Sequence, residues 1–284
     1  MGVEEPKVSY VSKDELICPV CDAEFHREEL LSGSGRLIAG AITDELHRLY
    51  EPSARYGNVY PLVYQATVCP ECWFASMDKD FFLLPEKIKD KVKLDMQKRI
   101  SETSQIFPGV DFHENRSLTS GAASLYLVIF CYDYFSKEVS PTIKQGIASL
   151  RAGWLCEELH AKNPGEHYDW LALLFKKKAR FFYSEALKRE QSGAEPIAGI
   201  KNFGPDTDKN YAYEGMLYLS ALLNFKYGPM EDPLKRKAYL EEAKRTIARI
   251  FGLGKSSKSK PGPLLEHARN VYNDINKELN ENDD

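Results

Sequence analysis

Two short cysteine clips constrain this chain more than any other feature: Cys18-Pro19-Val20-Cys21 and Cys69-Pro70-Glu71-Cys72. In each, proline bends the backbone after the first cysteine and lets the second sulfur approach the same point. Four soft thiolates in two pairs are the ligand set of a tetrahedral structural zinc, at about 2.3 Å per Zn–S bond. We therefore expect Cys18, Cys21, Cys69 and Cys72 to ligate one Zn2+, with residues 22–68 carried between the clips as a long insertion. A shell closed by four protein sulfurs leaves no position for water or substrate, so the expected role is structural. In zinc-finger peptides such binding is worth roughly 10–16 kcal/mol of folding free energy.

Other chemistries compete for the same sulfurs. Iron in a rubredoxin-like site is the second choice, because tetrahedral sulfur suits both metals. Disulfides need an oxidising compartment, whereas the chain starts Met-Gly-Val-Glu-Glu-Pro, with no basic start and apolar core of a secretory signal. A thioredoxin-like pair would need a clip at a strand-to-helix turn and would leave the other clip unexplained. The residues after the clips are Asp22 and Trp73, where a zinc knuckle favours a left-handed backbone. Aspartate tolerates that conformation and tryptophan does so poorly, so the second knuckle is expected to be unusual. His26, His47 and His113 sit at no clip-like spacing and read as surface or packing residues.

The 43% hydrophobic and 28% charged composition over 284 residues fits a globular protein of one or two domains. The longest apolar stretch, Ala122 to Tyr132, is too short to span a bilayer, so the cytoplasm is the expected location and no membrane partner is expected. Cys131 and Cys156 lie in apolar helical patterns, where a free thiol acts as a small hydrophobe. Residues 1–85 carry seven Lys/Arg against fourteen Asp/Glu, a balance of −7; with −4 for the whole chain, the remainder is +3. Nucleic-acid binding is driven largely by cations on phosphates, and an acidic ribbon suits it poorly.

Three regions follow. Residues 1–85 read as a small zinc-ribbon-like domain, with strands over 8–17 and 60–68, a Gly33/Gly35 turn, and a helical turn or two over 44–50. Residues 86–115 form a connection: Ile88, Val92, Met96 and Ile100 recur every four residues as an amphipathic helix, and Asp111, His113 and Glu114 read as a cap for the next one. Residues 116–284 read as helices near 118–136, 141–161, 166–190, 208–227, 233–252 and 262–280, separated by proline and glycine. Their spacing resembles a tetratricopeptide-like helical-hairpin array, clearest from Tyr213 to Phe251. The fold class is therefore α+β, mainly α. Ser32–Arg36 lacks the ending of a phosphate loop, and Arg249 stands where a Walker motif closing at Gly254-Lys255-Ser256 needs glycine. Lys255, Lys258 and Lys260 read as a solvated linker.

The clips, the approach Asn58-Val59-Tyr60-Pro61-Leu62-Val63-Tyr64, Val68 to Ala75, Leu150 to Cys156 and Gly215 to Leu219 together resemble the uncharacterised bacterial family called domain of unknown function 2225. That family usually shows glycine where Trp73 stands. The resemblance implies a bacterial cytoplasmic protein and brings no activity, substrate or catalytic residue with it. From the residues, the leading expectation is a non-enzymatic scaffold or adaptor that holds a protein or peptide on its helical array; Tyr126, Tyr132, Tyr134 and Tyr218 could line it, though each taken singly reads first as a core residue. The alternatives are a nucleic-acid-binding zinc ribbon, or a hydrolase-type enzyme using His47 or His113 with nearby carboxylates.

Overall fold

The computed structural model describes residues 7–197, 200, 204–252 and 262–281. Six short strands pair only with their sequence neighbours. β1 (Ser9–Ile17) pairs with β2 (Glu24–Leu30), β3 (Ile38–Ile42) with β4 (Arg48–Glu51), and β5 (Ala66–Val68) with β6 (Ala75–Met77), each antiparallel. The cysteine clips occupy the turns of the first and third hairpins. A 3-10 turn over Pro61–Tyr64 precedes β5, so the expected strand over 60–68 is only partly extended. The helical turn expected over 44–50 is a hairpin turn running into β4. His47 and Thr43 close that turn, with Thr43 N donating to the His47 carbonyl (2.9 Å) and Leu46 at φ +61°.

Eight helices follow among the described residues: α1 (Lys89–Leu94), α2 (Met96–Ile106), α3 (Leu118–Cys131), α4 (Pro141–Lys162), α5 (Tyr168–Gln191), α6 (Ala212–Tyr227), α7 (Pro233–Gly252) and α8 (Gly262–Glu281). The helix expected from Ile88 to Ile100 breaks at Asp95, although Val92 is fully buried as its periodicity requires. Asp111 does not cap α3. Its carboxylate accepts from the His113 N–H (2.8 Å), and the cap is Ser117, which forms a capping box with Ser120. The helix expected to begin at 166 begins at Tyr168, because His167 adopts a left-handed conformation (φ +55°). The Lys255, Lys258 and Lys260 stretch lies outside the described residues.

From α4 onward each helix packs antiparallel on the next. Gly146 faces Tyr183 while Gly153 faces Ala172 and Lys176; Ser184 bonds Asn224 while Glu190 bonds Tyr213; Tyr213 lies near Arg249 while the Phe225 carbonyl accepts from Arg236. Arg236 also pairs with Glu278 and Lys244 lies over Tyr272, which sets α7 against α8. The small residues set the closeness of approach: a Cβ on Gly146 would come within 3.0 Å of the Tyr183 ring. α3 and α6 are apolar nearly all round and are the central helices.

One apolar cluster runs from the cysteine clips through α3 to α8. Gly121 of α3 packs on Val63 so closely that a Cβ would lie 2.7 Å from the valine side chain. Tyr132 donates to Asp80, which Lys144 of α4 also reaches. The core reading of the tyrosines holds: Tyr132, Tyr134 and Tyr218 are buried, and Tyr126 is half-buried against the core. No helix among the described residues is long and apolar enough to cross a membrane.

Candidate metal centre

The two clips are built alike. In the first, Asp22 N donates to the Cys18 carbonyl (3.0 Å) and Cys18 N to Ala23 O (2.9 Å). In the second, Trp73 N donates to the Cys69 carbonyl (2.9 Å) and Cys69 N to Phe74 O (2.9 Å). Asp22 and Trp73 both take the left-handed conformation, at φ +60° and +55°. The second knuckle therefore has the same backbone as the first, contrary to the expectation drawn from Trp73. Left-handed backbone costs a non-glycine residue on the order of 1–3 kcal/mol. The Trp73 ring offsets this by burial, meeting Phe112 edge-on at 5.0 Å.

The clips face each other across one point. Cys18 Sγ lies 3.6 Å from Cys72 Sγ, Cys21 Sγ lies 3.6 Å from Cys69 Sγ, and all four sulfurs fall within 4.8 Å of one another. A regular tetrahedron with 2.3 Å metal–sulfur bonds has edges of about 3.8 Å, so the spacing fits one tetrahedral ion. It is far too long for a disulfide, whose sulfurs sit about 2.05 Å apart. All six cysteines are free. The four are close enough to hold a metal ion, and zinc is compatible with the donor set.

Crowding four sulfurs in a buried site separates their affinities for protons. Hydrogen bonding with Cys69 pushes Cys18 up to about 12, and contact with Cys18 and Cys69 pushes Cys72 far up. Hydrogen bonds from Cys18 and Cys72 pull Cys69 down to about 2. A divalent cation at the same point replaces the thiol protons and lets all four sulfurs act as anions.

His26, His47 and His113 lie outside the cluster. His26 is exposed on β2, and His113 is exposed with Nε2 3.4 Å from Glu71. His47 is packed away from the clips, its ring stacked on Trp154 at 4.2 Å and its Nε2 3.6 Å from Asp206. Burial lowers its pKa against the pull of Asp206 and Glu45. The His47–Trp154 pair borders a cavity of about 250 Å3 that also meets Tyr60 and Glu158. Cys131 and Cys156 are fully buried, and burial pushes them up to about 11 and about 12.

Two residues that sequence reasoning passed over organise the surroundings. Glu45, 3% exposed, accepts from Trp154 Nε1 (2.6 Å) and Tyr227 Oη and pairs with Lys176 and Lys226 (3.2 Å each). It pins the β3–β4 turn to α4, α5 and α6. Arg99 of α2 is fully buried and donates to the carbonyls of Val92 (2.8 Å) and Cys72 (2.7 Å). Neither carries a local signal: the partners of Glu45 lie more than 100 residues away, and a buried arginine reads like an exposed one in an amphipathic pattern.

A relative from Borreliella burgdorferi, itself described as an uncharacterized protein, is 38% identical over 274 residues, covering 96% of this chain and 98% of the relative. No solved structure matches the chain. The family described as "Uncharacterized protein conserved in bacteria (DUF2225)" matches residues 11–275, a span that holds both cysteine clips and nearly all of the helices, and the chain belongs to it.

Proposed function

We propose that the protein is a non-enzymatic cytoplasmic adaptor. Its zinc-ribbon-like unit (residues 1–85) is stapled by structural Zn2+ on Cys18, Cys21, Cys69 and Cys72. Residues 86–115 connect that unit to a tetratricopeptide-like helical array (116–284) that holds a protein segment. The observation that carries the binding role is the outer face of α5. There Trp170 (61% exposed), Leu173, Leu174 and Phe181 (55% exposed) stand at helical spacing, outside the core.

Lys177, Lys178 and Lys188 share that face, and no carboxylate pairs with them among the described residues. From Trp170 to Lys188 the stripe is about 27 Å long at 1.5 Å per residue. Apolar anchors beside unpaired cations complement an amphipathic segment that carries acidic residues, laid along the helix.

The experiment places a photo-crosslinking amino acid at Lys178 in the bacterial cell. The expected result is one cross-linked protein with an acidic amphipathic segment, lost in Trp170→Ser/Phe181→Ser and in Lys177→Glu/Lys188→Glu, and kept in Leu234→Ser on α7. Cross-linking that survives the α5 changes, or yields only the chain itself, refutes this reading. So does loss of signal in favour of sedimentation with anionic vesicles.

A further inference from the structure

Arg99 presents an electrostatic problem. Its guanidinium is 0% exposed, and its Nε has no hydrogen-bond partner. The two contacts it makes, to Val92 O and Cys72 O, are with neutral carbonyls, and no carboxylate forms an ion pair with it among the described residues. A guanidinium stays charged in proteins. Burying a charge is costly unless an opposite charge compensates it. Carbonyl dipoles satisfy two sets of donors but supply no net charge.

The missing anion is at hand once the four cysteines hold a divalent ion. Four thiolates and one Zn2+ sum to −2, and the carbonyl that Arg99 grips belongs to one of the four ligand residues. The same side chain bonds back to Val92 of α1, and Thr103 Oγ1 donates to the Arg99 carbonyl (2.7 Å), so the cation is held on a fixed strut. We propose that Arg99 is the positioning residue of the metal centre: it fixes the second knuckle through Cys72 and supplies the internal counter-charge of a dianionic zinc–tetrathiolate cluster. This inference rests on the zinc reading above. Outer-sphere partners of metal ligands commonly change metal affinity by about 10- to 100-fold when removed.

The test measures zinc affinity by chelator competition and unfolding in urea, with and without zinc, on the full chain and on Arg99→Met and Arg99→Lys. Arg99→Met is expected to bind zinc about 10- to 100-fold more weakly. Without metal it is expected to be as stable as the unsubstituted chain or more so, since an uncompensated buried charge has been removed. Arg99→Lys keeps the cation but loses the fork that spans the Val92 and Cys72 carbonyls, so it is expected to weaken zinc binding by less than about tenfold. Three results overturn the inference while leaving the zinc site intact: unchanged affinity in Arg99→Met, equal destabilisation of its metal-free and zinc-bound forms, or Arg99→Lys as weak as Arg99→Met. If Arg99→Met does not fold, Arg99→Lys is compared with the unsubstituted chain, and zinc binding weakened about tenfold or more overturns the inference. A chain that takes up no zinc at all overturns the reading beneath it, and the role of Arg99 with it.

Discussion

Replacing Glu45 by glutamine removes one charge and one acceptor from the buried centre of an ionic network while keeping its volume. In the native structure one carboxylate oxygen faces Trp154 Nε1 (2.6 Å) and Lys176 Nζ (3.2 Å), and the other faces Tyr227 Oη and Lys226 Nζ (3.2 Å). A glutamine can turn its carbonyl to only one of these pairs. Its NH2 group then meets donors, so hydrogen bonds to a charged group worth about 1.5–3 kcal/mol each are lost. Breaking a buried ion pair costs about 3–5 kcal/mol. Glu157 remains beside Lys176 and Asp44 beside Lys226, which reduces the penalty. The net expectation is about 3 kcal/mol, or a fall in Tm of roughly 5 °C for a chain of this size.

The pH dependence is equally specific. Burial alone would raise the Glu45 pKa, but Lys176 and Lys226 outweigh it, and the net shift is downward. A depressed carboxylate contributes stability that is present above its unfolded value of about 4.3 and lost as pH falls through the folded value. Urea unfolding of both proteins should therefore show a constant difference from pH 6 to 8 that shrinks below about pH 4. A difference under 0.5 kcal/mol at pH 7, or one that persists undiminished into acid, refutes the reasoning.

Other outcomes follow from the same structure. Gly121→Ala drives a Cβ into Val63 at 2.7 Å and should cost about 1–3 kcal/mol in thermal or urea unfolding. Trp73→Gly relieves the left-handed backbone but empties the space against Phe112. Ring loss at about 3–5 kcal/mol exceeds the relief, so a net loss of about 2 kcal/mol is expected by urea titration. His47 is half-buried, and its depressed pKa means that stability present above the unfolded value of about 6.5 is lost as pH falls through the folded value. His47→Phe should flatten the stability profile of the zinc-loaded protein between pH 7 and 5.

The helices were legible because their punctuation is chemical. Pro141 opens α4, Pro233 opens α7, and glycine or proline stands in every gap expected after 161. The hairpins were less so. β2, β3 and β4 are short, and their residues do not alternate apolar with polar as a half-buried strand does. Residues 44–50 carry Leu46 and Leu49 at a helix-like spacing, yet Glu45 and His47 are fixed by Trp154, Lys176, Tyr227 and Asp206, all more than 100 residues away. The four cysteines were read directly from their spacing, and the structure brings their sulfurs together. Arg99 could not be found that way, because a buried arginine and an exposed one look the same in an amphipathic pattern.

The central claim is met most directly by metal analysis of the chain purified without added metal, combined with X-ray absorption at the edge of whatever metal is found. The account predicts one zinc per chain, surrounded by four sulfurs at about 2.3 Å. Metal-free protein, or a first shell containing nitrogen or oxygen in place of any of the four sulfurs, would contradict it.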